Sequence, residues 1–143
     1  MISRVLVIGA GGFIGRALCQ ALNVQGTRVK AVSRRGQLLN LPGIEQIASD
    51  CRNPSEVATS LGDIDAVVYL AACSTPGSSA GKPSAELSEN LAPLMATLEA
   101  LQGHPSIPLI YFSSAGAIYD EQAAVASCES DLPRPRSYHG PAR

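Results

Sequence analysis

Residues 5–15 of this chain read Val5-Leu6-Val7-Ile8-Gly9-Ala10-Gly11-Gly12-Phe13-Ile14-Gly15. A run of strand-forming residues passes into a glycine-rich turn, and a helical pattern begins within that turn. This order is typical of the first strand-to-helix junction in a dinucleotide-binding unit. Gly9 allows a tight turn, Gly12 lets backbone N–H groups approach a pyrophosphate, and Gly15 lets the helix pack closely on the strand.

The glycine spacing is Gly9-x-x-Gly12-x-x-Gly15, which differs from the G-x-G-x-x-G of most dehydrogenases. Gly11 supplies an additional glycine, and Ile14 occupies the position where that pattern has its third. The alternative interpretation is a tight turn that binds nothing. If the turn does bind a cofactor, we expect the contacts to come from Gly9, Gly11, Gly12, Phe13, Ile14 and Gly15.

Strand-like and helical segments alternate along the chain, which predicts an α/β fold with a parallel sheet covered on both faces. We expect a Rossmann-type doubly wound sheet of about five strands in the order 3-2-1-4-5. The expected strands are residues 5–8, 28–33, 43–48, 65–71 and 107–113, and the expected helices are 12–23, 53–62 and 84–101. Pro93 should kink or break the third helix. In the first helix, the apolar stripe consists of Phe13, Ala17, Leu18, Ala21 and Leu22.

Length and composition set the remaining limits. The 143 residues fit one dinucleotide-binding domain, with residues 120–143 as an extended tail. The net charge of −1 argues against nucleic acid or a membrane surface as the main partner. No apolar stretch approaches the length of a membrane span, and we expect no signal peptide, because the first residues run straight into a strand. The four scattered cysteines favour reduced thiols in the cytoplasm and no metal site.

Ligands of open parallel sheets bind beyond the carboxyl ends of the strands, so the residues there are candidates. Ser33, Arg34 and Arg35 follow the second strand, where an NAD-specific protein would place an acid. Two guanidinium groups suit the 2′-phosphate of NADP, so we predict NADP in preference to NAD. The alternative is an ordinary solvated basic turn.

The third and fourth strands end in further candidates. Asp50, beside Cys51, could accept a hydrogen bond from an adenine amino group, or it could cap the following turn. Leu70-Ala71-Ala72 offers a small-residue surface for ribose and phosphates, or simply close packing.

The fifth strand leads to Ser113 and Ser114, whose hydroxyls could orient and polarise a substrate alcohol or ketone. A serine pair in this position could also serve only to shape a turn.

Five segments in this order resemble the extended short-chain dehydrogenase/reductase family, in its NAD(P)-dependent epimerase/dehydratase branch. They are residues 8–15, 49–54, 65–72, 90–100 and 112–119, and the resemblance extends over about residues 4–140. It implies a site in which a Ser or Thr, a Tyr and a Lys move a substrate proton while hydride passes to or from the nicotinamide. Ser114 matches the serine role, with Ser113 second, and Asn90 matches a helix asparagine that supports the site.

The tyrosine and lysine of this family form a Tyr-x-x-x-Lys motif that the chain does not contain. If Tyr138 is the tyrosine, Ala142 stands where the lysine should be. In the other register His139 and Arg143 take the two positions, and arginine keeps the charge without the compact ammonium.

The family continues with two more strands and a C-terminal substrate domain, which the resemblance implies are missing here. The sequence therefore predicts the NAD(P)-binding N-terminal part of a sugar-nucleotide epimerase/dehydratase-like oxidoreductase, catalytically incomplete as this chain. The alternatives are a non-catalytic NAD(P)-binding sensor module and a non-functional truncated product. The expected partners are the cofactor, a nucleotide sugar, and either a second copy or the missing C-terminal half.

Overall fold

The computed structural model describes residues 2–35, 42–75, 77–78, 80–120, 125–138 and 140. It contains one sheet of five parallel strands in the order β3-β2-β1-β4-β5. The strands are β1 Arg4–Ile8, β2 Arg28–Ser33, β3 Ile44–Ala48, β4 Ala66–Tyr69 and β5 Leu109–Tyr111. The predicted fold class and strand order are confirmed.

The α-helices of the described residues lie between β1 and β2, between β3 and β4, between β4 and β5, and after β5. They are α1 Phe13–Val24, α2 Pro54–Thr59, α3 Pro83–Glu86, α4 Ala92–Gln102 and α5 Ala115–Ile118. The predicted start of α2 is correct, because the Asn53 side chain accepts a hydrogen bond from the Ser55 N–H at 3.0 Å. Among the described residues, no helix is long and apolar enough to cross a membrane.

The chain divides into two compact units, residues 1–72 with 93–111 and residues 73–92 with 112–143. The first unit holds the whole sheet. In the second unit, the described residues beyond 120 form neither helix nor strand. Assignment of residues 1–143 to one domain with an extended tail from 120 stays a prediction.

The central strands β1 and β4 are buried on both faces, as their continuous apolar runs predict. On one face, Leu6, Ile8, Val67 and Tyr69 belong to a core cluster that also includes residues of α2 and α4. On the other face, a second cluster combines strand and helix side chains: Val5, Val7, Val29, Ala31, Val68 and, from α1, Cys19, with Leu18 and Leu22 packed against it. The sheet thus holds the carboxyl ends of its strands in fixed register.

Helix α1 turns a different face to the sheet from the one its apolar pattern predicts. Leu18 and Leu22 do pack on the core, but the fully buried residues are Gly15 and Cys19. Phe13 is 94% exposed, and Ala17 and Ala21 are exposed as well. The helix approaches the sheet through Gly15, whose missing side chain allows the closest contact, and this approach sets the buried face.

Pro93 does not end the long helix. A π-helical turn, Leu87–Leu91, joins α3 to α4 immediately before the proline. Proline has no N–H, and its ring meets the carbonyl four residues earlier in a regular α-helix. A wider turn relieves that crowding while the helix continues.

Candidate functional site

The glycine turn after β1 is held by backbone hydrogen bonds on both sides. The N–H groups of Gly9 and Ala10 both donate to the carbonyl of Val32, each at 3.0 Å, and Gly12 N–H donates to the Gly9 carbonyl at 3.1 Å. Gly9 has a φ of +90°, and a Cβ there would lie 2.6 Å from the nitrogen of Ala71. The position therefore requires glycine both for its conformation and for its space.

The other two glycines of the motif differ in what surrounds them. A Cβ on Gly15 would lie 2.3 Å from the Gly9 carbonyl oxygen, so α1 can pack against the turn only because residue 15 is a glycine. A Cβ on Gly12 would meet nothing closer than 3.4 Å. The protein itself thus leaves room at Gly12, and the predicted reason for a glycine there, the approach of a pyrophosphate, stays a prediction.

Within residues 9–14, the N–H groups of Gly11, Phe13 and Ile14 have no hydrogen-bonded partner in the part of the chain that the structure describes. The last two lie in the first turn of the 12-residue helix α1, where the helix dipole adds partial positive charge. Outward N–H groups at such a helix start are suited to bind a phosphate.

The basic turn after β2 is accessible. Ser33 ends the strand, and its carbonyl accepts a hydrogen bond from the Ser49 N–H at 3.2 Å. Arg34 and Arg35 are exposed, and neither forms an ion pair with a described carboxylate. Both guanidinium groups therefore remain available to an anion.

Asp50 and Cys51, after β3, have local roles in the structure. Asp50 accepts a hydrogen bond from the Arg52 N–H at 3.1 Å, and its carboxylate lies 3.7 Å from the Arg52 guanidinium. These contacts fit the turn-capping alternative, and the contact with adenine stays a prediction. Cys51 has a φ of +57° and a side chain buried in the core. Burial raises the pKa of its thiol. A role for Cys51 in binding a cofactor stays a prediction.

The segment after β4 lies against the glycine turn. Leu70 N–H donates to the Ile8 carbonyl at 2.8 Å, which extends the ladder between the two central strands. Leu70 and Ala71 are half-buried and pack on the two core clusters, whereas Ala72 is exposed. Ala71 thus serves at least partly in close packing, whereas the side chain of Ala72 is accessible to a ligand.

Asn90 lies in the second unit, where it is buried in a hydrogen-bonded cluster. Its Nδ2 donates to Ser74 Oγ at 2.7 Å and to Glu86 Oε2 at 2.5 Å, and its Oδ1 accepts from the Cys73 N–H at 2.8 Å. Sequence reasoning singled out Asn90 but missed Ser74 and Glu86. The available signal was the four-residue spacing of Glu86 and Asn90, which places two polar side chains on one helix face.

The remaining candidates follow β5 or lie near residue 140. Ser113 is exposed, and Ser114 precedes α5, where its carbonyl accepts from the Ala117 N–H at 3.0 Å. Tyr138 is 52% exposed. His139 and Arg143 lie outside the described residues, so the two registers for the tyrosine and lysine positions stay alternatives.

Comparison with known proteins identifies the family. The model of the NAD-dependent epimerase/dehydratase family matches residues 5–142. The UDP-glucose 4-epimerase of Streptomyces lividans is 30% identical over 146 aligned positions, which include 98% of this chain and 44% of that enzyme.

Solved structures agree with this match. The UDP-glucose 4-epimerase of Thermus thermophilus, in complex with NAD, superposes with a TM-score of 0.87 at 26% identity, over 97% of this chain and 47% of that one. The UDP-glucose 4-epimerase of Thermotoga maritima, with UDP-glucose, gives 0.85 at 25% identity over the same shares. This chain thus spans somewhat less than half the length of these relatives. It belongs to the NAD-dependent epimerase/dehydratase family, of which it carries the N-terminal, Rossmann-type portion.

Proposed function

We propose that this chain binds a nicotinamide adenine dinucleotide at the carboxyl ends of its strands. The observation that carries the proposal is the glycine turn, in which the N–H groups of Gly11, Phe13 and Ile14 have no hydrogen-bonded partner among the described residues. These donors and the start of α1 would hold the pyrophosphate. A bound dinucleotide would supply hydride transfer, and the chain's own contribution at this place is binding and orientation.

Calorimetric titration of the purified chain with NADH and NADPH tests this proposal. A variant with Gly12 replaced by valine is the informative comparison, since the protein itself leaves room for a Cβ at Gly12. We expect the variant to keep its fold and to lose dinucleotide affinity by at least about tenfold, because the side chain would fill the phosphate's approach. Equal affinity of the variant and the unsubstituted chain would contradict the proposal.

The finer proposal is a preference for NADP, and it rests on Arg34 and Arg35. Both side chains are exposed, and neither forms an ion pair with a described carboxylate. The family, by contrast, is described as NAD-dependent. Replacing both arginines by glutamine should weaken NADPH binding by about tenfold or more and leave NADH binding nearly unchanged, because only NADPH carries the 2′-phosphate. Tighter binding of NADH by the unsubstituted chain would refute the preference.

For the whole protein we propose epimerase, dehydratase or reductase chemistry on a nucleotide sugar. Two relatives support this class: one structure is described with UDP-glucose and another with NAD. Ser114, with Ser113 as the second candidate, would hydrogen-bond the reacting oxygen. Tyr138, or His139 in the other register, would exchange its proton, with Arg143 as the charged neighbour of His139. We expect this chain alone to show no turnover of a nucleotide sugar.

A non-catalytic NAD(P)-binding module is the second candidate function. The specific observation in its favour is Ala142, which stands four residues after Tyr138 where the family has lysine. A phenol is a weak acid, so without a neighbouring cation a tyrosine hydroxyl does not readily release its proton at neutral pH. Dinucleotide binding without turnover, even with a C-terminal half supplied separately, would favour this candidate over the enzyme.

We also propose that the chain self-associates through α4. Met95 is 45% and Leu98 40% exposed on that helix, three residues apart and hence on one face. Exposed apolar side chains that share a face often mark a contact with another chain. The cytoplasmic location remains part of the same proposal and rests on the unpaired cysteines.

A further inference from the structure

A buried carboxylate, Glu86, is the feature of the second unit that the proposed function does not use. Glu86 is 3% exposed, and Asn90 is 7% exposed. Glu86 Oε1 accepts a hydrogen bond from the Ser74 hydroxyl, and Glu86 Oε2 accepts from Asn90 Nδ2 at 2.5 Å. A buried charged group is costly unless it is hydrogen-bonded, so both contacts stabilise the carboxylate.

The carboxylate dictates which way the Asn90 amide points. An ionised carboxylate only accepts hydrogen bonds, so Asn90 must turn its NH₂ group toward Glu86. The amide oxygen then faces the Cys73 N–H, which donates to it at 2.8 Å. A flipped amide would place Nδ2 against the Cys73 N–H and its oxygen against the carboxylate. Both contacts would be repulsive.

We propose that Glu86 is a positioning residue for the segment that begins at Cys73. It acts through Asn90, whose orientation it sets, and through Ser74, whose hydroxyl it holds. Cys73 comes directly after Ala71 and Ala72, which are candidate contacts of the cofactor. The functional consequence of this inference therefore rests on the proposed cofactor binding. The ligand whose binding depends on Glu86 is then the dinucleotide.

The substitution Glu86→Gln separates this role from simple space filling, because glutamine has almost the same shape. If the glutamine oxygen faces Asn90, its NH₂ faces Ser74 Oγ, and the Ser74 O–H loses its acceptor on residue 86. If the NH₂ faces Asn90 instead, two NH₂ groups meet. We expect one contact to be lost and the Cys73 amide to be released. The matched control is Glu89→Gln on the same helix, since Glu89 is exposed and forms no ion pair with a described residue.

A compensating variant makes the test sharper. Asn90→Asp alone places two carboxylates side by side, which is strongly unfavourable. The double variant Glu86→Gln with Asn90→Asp reverses the polarity of the pair. The introduced glutamine donates to the introduced aspartate, and that aspartate still accepts from the Cys73 N–H. We therefore expect the double variant to restore what each single substitution removes.

Hydrogen exchange of the Cys73 amide, followed by NMR in the full chain, is the direct readout. We expect exchange to be about tenfold faster in each single variant, and within about twofold of the unsubstituted chain in the double variant and the control. The Val67 amide, which donates to the Pro108 carbonyl at 2.9 Å, reports whether the sheet remains folded. If Glu86→Gln behaves like Glu89→Gln, or if the double variant does not recover, the proposal is wrong. If a single variant unfolds, the double variant still decides: it should fold and show Cys73 amide exchange within about twofold of the unsubstituted chain.

Titration of the same variants with NADH and NADPH tests the functional consequence. We expect affinity to fall in the single variants and to return in the double variant. Released Cys73 with unchanged affinity would overturn the link to the cofactor. An unsubstituted chain that binds neither dinucleotide would refute the proposed function instead, while the Cys73 amide would still report on Glu86.

Discussion

Replacing Gly15 by alanine tests the close packing of α1 on the glycine turn. The added Cβ would lie 2.3 Å from the Gly9 carbonyl oxygen and 2.7 Å from the Ala10 Cα. Both are backbone atoms, so no side chain can rotate out of the way. The first turn of α1 must instead move by roughly 1 Å before an ordinary contact distance is restored.

Two effects of opposite sign set the magnitude. Overpacking of this kind costs about 1–3 kcal/mol, and contacts with backbone belong at the upper end of that range. Alanine is favoured over glycine within a helix by up to about 1 kcal/mol. We therefore expect Gly15→Ala to lower the free energy of unfolding by about 2 kcal/mol, which a typical domain tolerates without unfolding.

Urea unfolding followed by circular dichroism measures this change. Gly116→Ala is the matched control, because Gly116 lies in α5 and a Cβ there meets nothing within 4 Å. We expect no loss of stability in the control. Gly15→Ala should also weaken dinucleotide binding, since the shifted turn carries the N–H groups of Phe13 and Ile14. An unfolding midpoint for Gly15→Ala equal to that of the unsubstituted chain would refute the packing argument.

Three further predictions concern acid stability, thiol reactivity and association. Hydrogen bonds from the Ser3 N–H and hydroxyl lower the pKa of Asp65 in the folded chain. The ionised Asp65 therefore stabilises the fold above its unfolded-state pKa of about 3.9, and this stabilisation is lost as the pH falls through its folded-state pKa. The urea midpoint should therefore drop more on acidification in the unsubstituted chain than in Asp65→Asn, and equal drops would count against this. Burial raises the pKa of the Cys19 thiol to about 11, whereas hydrogen bonds from Ser130 lower the pKa of the exposed Cys128. Iodoacetamide at neutral pH should therefore label Cys128 before Cys19. Peptide mass spectrometry that finds Cys19 labelled first would contradict this prediction. Met95→Glu should shift the chain toward monomer in sedimentation velocity, and an unchanged distribution would exclude α4 as the contact.

The sheet could be predicted because its signals are local in the sequence. Each strand is a short apolar run bounded by turn residues, and a strand buried on both faces needs such a run. The bounds of β2 agree at both ends, from Arg28 to Ser33. The expected strand at 107–113 is shortened to Leu109–Tyr111, because its ladder partner β4 has only four residues.

The helices were harder to predict because their orientation depends on what they pack against. The apolar pattern placed Phe13 on the buried stripe, yet contact through Gly15 turns it outward. Similarly, Pro93 predicts a disturbance of the helix but not its form, since a kink, a break and a π-helical turn all relieve the same crowding.

The fold class, the strand order and the place of the candidate cofactor site could all be predicted from residue types. These follow from residue types at fixed spacing along neighbouring parts of the chain. Tertiary packing determines which glycines are required: backbone atoms leave no space for a side chain at Gly9 and Gly15, whereas Gly12 is open. It also decided the partners of Asn90, because Cys73, Ser74 and Glu86 reach it only once the chain between them has folded.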